Sequence, residues 1–291
     1  MRKKRFTVFD AVVLLISTIL MLIVLYPLIL VLSNSFSDPS YVAGGQVLFL
    51  PKGFNLAGYK AVFGAKDIMS GYLNTIFYTV VGTMINLLVT LPAGYALTKK
   101  SVPGRNFIMT MFMITMYFSG GMIPTFLMVN KLGLYNTRTV LLVMGAFSVY
   151  NCIICRSFFA ALPQELEESA EIDGCSSIRT FAQIVLPLSK ALIGVMVLYF
   201  GVGHWNSYFN AMIYILDEDK KPLQLVLRRI LIQAQTLATS EEGGEYAAML
   251  ADREALIRYA VIVVSAAPLL IIYPFLQKYF DKGVLIGSVK D

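Results

Sequence analysis

The residues best equipped for chemistry lie in one polar island, Pro163 to Pro187, PQELEESAEIDGCSSIRTFAQIVLP. Five carboxylates crowd its first half: Glu165, Glu167, Glu168, Glu171 and Asp173. Elsewhere the reactive repertoire is thin. His204 is the single histidine, which leaves little scope for acid–base or zinc chemistry. Cys152 and Cys155 form a C-x-x-C pair, a spacing that can serve redox work. They fall in an apolar helix outside any thioredoxin-like context, so they read as two small buried hydrophobes. Cys175 has no evident partner. No G-x-x-x-x-G-K-[ST] phosphate cradle, H-E-x-x-H helix or G-x-S-x-G elbow occurs. GVGHWN, around His204, lacks the third glycine and the preceding strand of a dinucleotide fingerprint. An enzyme is disfavoured, and if ATP is used, a partner must use it.

The island predicts a helix, a tight turn and a second helix. Pro163 suits a first helical turn, where a missing N–H costs nothing. The early carboxylates favour the positive end of that helix. Gly174 can take the left-handed conformation that closes it. Ser176 or Ser177 can cap the next, in which Ile178, Phe181, Ala182 and Val185 make one apolar stripe. Pro187 marks its end. A DNA-binding helix-turn-helix is excluded by charge. Arg179 is the only cation among the carboxylates, and phosphate would be repelled.

The elements around the island must be membrane spans. The chain has 291 residues, 57% hydrophobic and 14% charged, with mean hydropathy +0.69. Soluble domains carry about 25% charged residues. Six apolar stretches are predicted to cross: about 11–32, 72–97, 107–129, 139–159, 191–215 and 259–277. The net charge of +6 is therefore read by side of the membrane, not as a nucleic-acid footprint. Short cation-dense segments, Arg2 to Arg5 and Thr98 to Arg105, favour a cytoplasmic N-terminus. Six crossings return the C-terminus to the same side. The predicted fold is an all-α membrane protein, N-in/C-in. Residues 1–10 form a cytoplasmic segment and 11–290 one transmembrane domain, with the 163–187 loop cytoplasmic and long outer loops at 33–70 and 217–258. MRKKR and the apolar run behind it read as a retained first span. The run is too long for a signal peptide, and no small-x-small cleavage site follows.

Polar residues inside spans mark a water-filled path or helix–helix hydrogen bonds. Asn74 and Thr75 are placed at the outer interface, and Asn86 deeper, as either path lining or an interhelical bond. Ser119-Gly120-Gly121 and Pro124 should kink the third span. The fifth span carries the densest polar and aromatic group: His204, Trp205, Asn206, Ser207, Tyr208 and Asn210. Aromatic rings can cover pyranose faces while amides bond hydroxyls. Asn206 and Asn210, at i, i+4, are expected on one face. An aromatic belt at the interface is the alternative. Pro222 to Gln235 predicts a surface helix with Leu223, Val226, Leu227 and Ile230 as its apolar stripe. SEEGGEY, from Ser240, predicts a mobile loop.

Glu168-Ser169-Ala170, Asp173-Gly174, Phe181, Ile184 and Leu186-Pro187 resemble the EAA loop of binding-protein-dependent ABC importer permeases of type I. Ser169 and Cys175 stand where that family commonly has alanine. The likeness extends over nearly the whole chain and is similar to the carbohydrate branch, near maltose-system and polygalacturonan or uronate-oligosaccharide permeases. Its implications are a half-pore with six spans and a cytoplasmic coupling helix. Glu168, Ser169, Ala170, Asp173, Gly174, Phe181 and Pro187 would contact an ATPase. Asn86, Trp205, Asn206, Tyr208 and Asn210 would line the substrate path. Implied partners are a second homologous permease, two ATPase subunits that use ATP-Mg, an external solute-binding lipoprotein or periplasmic binding protein, an oligosaccharide and the lipid bilayer of a bacterial cell membrane. No cofactor is expected on this chain, and no nucleic acid. An ion-coupled secondary carrier is the rival class; such proteins place charges inside spans, and the charge-free windows 11–37, 68–98, 106–130, 139–155, 191–216 and 259–277 argue against it.

Overall fold

The structure, a computed structural model, describes residues 7–239 and 257–274. The described residues are helical and contain no strand. The helices are α1 (Val8–Ser35), α2 (Pro39–Ala43), α3 (Ala57–Gly64), α4 (Lys66–Ala96), α5 (Arg105–Tyr117), α6 (Met122–Lys131), α7 (Arg138–Val143) and α8 (Val149–Ala160). They continue with α9 (Glu165–Ile172), α10 (Ser177–Thr180), a π-helical turn (Phe181–Val185), α11 (Leu186–Leu188), α12 (Lys190–Trp205), α13 (Phe209–Tyr214), a 3-10 turn (Glu218–Lys220), α14 (Leu223–Thr239) and α15 (Ile257–Pro274). The basic N-terminal residues, SEEGGEY and the tail from Gln277 lie outside the described residues.

Among the described residues, three helices are long and apolar enough to cross a membrane: α1, α4 and α15. Two bent pairs also pass by composition: α5 with α6, turned by 113°, and the α10–α11 run with α12, turned by 83°. α8 is a shorter apolar helix. The first bend falls at Phe118–Gly121, where Gly121 has φ +86°, in line with the kink expected from Ser119-Gly120-Gly121. Two other breaks differ from the expected continuous spans. The 139–159 stretch is interrupted at Met144–Ser148, and Ser148 starts α8 by accepting from Asn151 N at 3.3 Å. The 191–215 stretch is interrupted at Asn206–Tyr208.

The chain divides into two compact units: 1–69 with 226–267, and 70–225 with 268–291. In the first, α1 opens with a capping box between Thr7 and Asp10. Its most apolar window has 0% of its residues buried, so lipid or another chain must cover it. The expected outer loop at 33–70 is shorter and more ordered than its Gly, Pro and Ser content suggests. Ser33 Oγ donates to Phe49 O at 2.6 Å, and Ser35 and Tyr59 share a hydrogen bond of 2.8 Å. Phe36 stacks between Phe54 and Tyr59, and Arg229 pairs with Asp67 at 2.9 Å.

The second unit packs α4, α8, the π turn and α12 around Leu91, Tyr95, Cys155, Phe159, Val185 and Met196. Cys152 and Cys155 are buried free thiols. Gly94 lets α8 approach α4: a Cβ there would stand 2.7 Å from Cys155 Cβ. Asn74 and Thr75 are buried. Asn74 Nδ2 donates to Asp219 O at 2.7 Å and Lys221 O at 3.1 Å, and Thr75 Oγ1 accepts from Leu223 N at 2.8 Å. These bonds fix the start of α14, whose Leu223, Val226 and Leu227 are buried as the stripe requires.

Candidate functional site

A polar stripe runs along α4: Thr75, Thr79, Thr83, Asn86 and Thr90 recur at intervals of three and four and share a face. At its middle Asn86, fully buried, bridges two other elements. Its Nδ2 donates to the carbonyl of Gly145 in the α7–α8 break, and its Oδ1 meets His204 Nε2 at 2.7 Å. A carbonyl only accepts, so the amide orientation is set, and Nε2 of His204 must carry the hydrogen. The imidazole enters because Gly82 lacks a side chain; a Cβ there would lie 2.5 Å from the ring. The break in α7–α8 frees the Gly145 carbonyl, and helical hydropathy alone gave no signal for it. The His204–Asn86 pairing is likewise invisible in the linear pattern.

Beside this triad lies a cleft of about 290 Å³, lined by Asn86, Ser148, Asn151, Tyr199, His204, Ser207 and Asn210 among others. Its hydroxyl, amide and imidazole groups can hydrogen-bond a hydroxyl-rich solute. The five expected path residues divide. Asn86 and Asn210 line this cleft. Trp205, 4% exposed, lies instead in an apolar cleft of about 520 Å³ with Met84, Leu198 and Ile272, edge-on to Tyr72 at 5.7 Å. Asn206 is exposed at the end of α12, where its Nδ2 donates to Val202 O at 3.1 Å. Tyr208 stands in the break with its ring edge-on to Phe209. Because α12 ends at Trp205, the expectation that Asn206 and Asn210 share a helical face is corrected: no continuous helix joins them. Ser148, Asn151 and Tyr199 were not singled out from sequence; helical spacing from Tyr199 to Gly203 was the only signal.

The acidic island forms the second part of the site. Pro163 precedes the cap residue Gln164 rather than lying in the first turn. α9 closes on Gly174, φ +75°. Cys175 N donates to Ala170 O at 2.9 Å and Gly174 N to Glu171 O at 3.0 Å, the paired bonds of a Schellman end. Ser176 caps α10, accepting from Arg179 N at 3.4 Å. Beyond it the expected apolar stripe is corrected. Ile178 and Ala182 are exposed, while Thr180, Phe181 and Val185 turn inward. The π turn adds a residue per turn and rotates the face that a regular helix would bury. Pro187 does not end the run; the chain bends two residues later, at Ser189. Ala170 is buried, Glu168, Ser169, Asp173 and Gly174 are exposed, and Phe181 stacks on Tyr95 at 4.9 Å. Leu166, Ile172 and Ile178 are exposed among the carboxylates.

Residues 68–286 match the family of binding-protein-dependent transport system inner membrane components, and the chain belongs to that family. It is similar to protein LplC of Bacillus subtilis, 44% identical over 92% of this chain and 90% of that one. It is also similar to the polygalacturonan/rhamnogalacturonan transport system permease protein YtcP of the same organism, 39% identical over 92% and 93%. A bacterial ABC transporter involved in import of the acidic polysaccharide alginate contains a chain that superposes with a TM-score of 0.85, at 32% identity, covering 96% of this chain and 99% of that one. This chain is accordingly a permease subunit and not an enzyme, ATP hydrolysis in this family residing in a separate subunit.

Proposed function

We propose that this chain forms half of the translocation pathway of an ATP-driven oligosaccharide importer in a bacterial cell membrane. It pairs with a homologous permease and receives its solute from an external binding protein. In this reading it crosses six times with both ends in the cytoplasm, the bent pairs and α8 completing the spans begun by α1, α4 and α15. Asn86 and Asn210 contribute the polar wall of the path, with Asn206 and Tyr208 at its helix break and Trp205 packed behind it at the end of α12. Relatives named for polysaccharide or oligosaccharide transport support the substrate class.

The observation that carries the reading is the α9–Gly174–α10 element. Its turn is closed by the paired bonds at Gly174 and Cys175 and by the Ser176 cap, and exposed carboxylates stand beside exposed Leu166, Ile172 and Ile178. Apolar side chains left exposed together on a polar helix suit a partner's groove. Glu168, Ser169, Ala170, Asp173, Gly174, Phe181 and Pro187 form or support that element, and each of two ATPase subunits with ATP-Mg would grip one permease. Gly174→Arg puts a Cβ and a long cationic side chain at φ +75°, a conformation L side chains rarely adopt, and strains the turn. In the assembled complex it is expected to cut uptake at least tenfold while ATP hydrolysis continues. Uptake at the native rate by this variant refutes the assignment.

A further inference from the structure

The turn that follows α4 is held from two sides. Arg156 Nε, from α8, donates to Leu97 O at 3.1 Å, and Arg105, at the start of α5, donates to Thr98 O at 3.3 Å. Cations at the carbonyl end of a helix satisfy its last acceptors and match its dipole. Lys99 projects from this pinned turn and pairs with Glu167 on α9. The two side chains are only 25% and 22% exposed. A pair shielded to that degree loses more when one partner is removed than a surface pair does.

The same ammonium lies 4.6 Å from the centroid of the Tyr95 ring. Tyr95 in turn stacks on Phe181 in the π turn and meets Phe159 edge-on at 5.9 Å. Both arms of the helix–turn–helix are thereby tied to the end of α4: α9 through Glu167, and the segment after α10 through Phe181. Ten residues back along α4 from Ala96 is Asn86, which holds Gly145 and His204. α4 runs continuously from Lys66 to Ala96, with Pro92 inside it, so displacement at its end has a helical path to the cleft.

We propose that Lys99 and Glu167 are positioning residues that latch α9 to the end of α4, so that movement of α9 reaches the polar cleft. The proposal rests on α9 docking to the ATPase. Its test uses the whole complex in native-like lipid vesicles, with all native cysteines replaced and Asn210→Cys as a cleft reporter. The rate of its modification by a maleimide is read with and without ATP and vanadate. A second reporter, Ile172→Cys, is read by cross-linking to the ATPase subunit.

With the latch intact, nucleotide is expected to change the Asn210→Cys rate several-fold. Lys99→Glu should abolish that change while the Ile172→Cys cross-link persists. Lys99→Arg should retain the change, and Lys99→Glu with Glu167→Lys should restore at least half of it. An unaltered response in Lys99→Glu overturns the latch and leaves the docking reading standing. Failure of the charge-reversed double variant to recover also overturns it, since the loss would then be merely structural. Absence of the cross-link with Lys99 in place overturns the docking reading, and the latch with it.

Discussion

His204 and Gly82 illustrate how one missing side chain fixes a polar one. The ring fits against α4 only because position 82 has no Cβ, and its Nε2–H then reaches Asn86. Gly82→Val is expected to destabilise the protein by about 1–3 kcal/mol, the usual cost of overpacking, and to reduce the uptake rate. Thermal unfolding in detergent checks the first effect. Asn86→Leu leaves the Gly145 carbonyl and the imidazole without their shared partner; interhelical bonds in membranes are worth roughly 0.6–2 kcal/mol, and a loss of that order is expected. Stability equal to the native protein in both variants would show that the triad does not hold these helices. Asn86 was legible in the sequence as a buried polar residue with two readings. The structure shows it making interhelical bonds at the rim of a cleft, so the two are not exclusive.

At the scale of elements, local signals read well where backbone chemistry is decisive. Gly174 has no Cβ to clash at positive φ, and the turn formed where the sequence placed it. Ser119-Gly120-Gly121 likewise broke the third stretch. The break at Met144–Ser148 was hidden because its residues keep the apolar average high, and that at Asn206–Tyr208 because its polar residues read as path lining within one continuous span; what the breaks gain is tertiary: a carbonyl freed for Asn86 in one case, a cleft edge in the other. The π turn escaped for a similar reason, since periodicity counting assumes regular helix and one extra residue rotates every later side chain. A deletion within Phe181–Val185 that restores α-helical phase should swing α11 out of register with the core. It is expected to lower thermal stability and uptake together, whereas the substitution Gln183→Ala, at an exposed position, should leave both unchanged. Equal behaviour of the two would mean that the π geometry is dispensable. Asn136 Oδ1 accepts from Leu216 N and Asp217 N, and the Asp217 carboxyl, held below its ordinary value of 3.8 first by Lys220 and then by Asn136, adds a charged tie from the end of α13 to the α6–α7 turn. That tie is present above the ordinary value and is lost only as pH falls through the depressed one, so it persists throughout the neutral range.

Across the whole molecule, composition alone set the class. A chain with this hydropathy and so few charges buries its apolar surface in lipid, and α1, bare within the chain itself, states that requirement most plainly. Family membership then follows from 68–286, and the acidic island is, among the described residues, an exposed polar element proposed to meet the ATPase. The account therefore stands or falls on what touches Ile172, the most exposed large apolar residue of α9 at 86%. Cysteine cross-linking of Ile172→Cys in the intact complex, with an impermeant thiol reagent applied from each side, measures this directly. The account predicts a cross-link to the ATPase subunit and protection from reagent added outside the cell. Labelling from outside, or a chain that reaches full transport activity with Ile172→Cys joined to no ATPase, would contradict it.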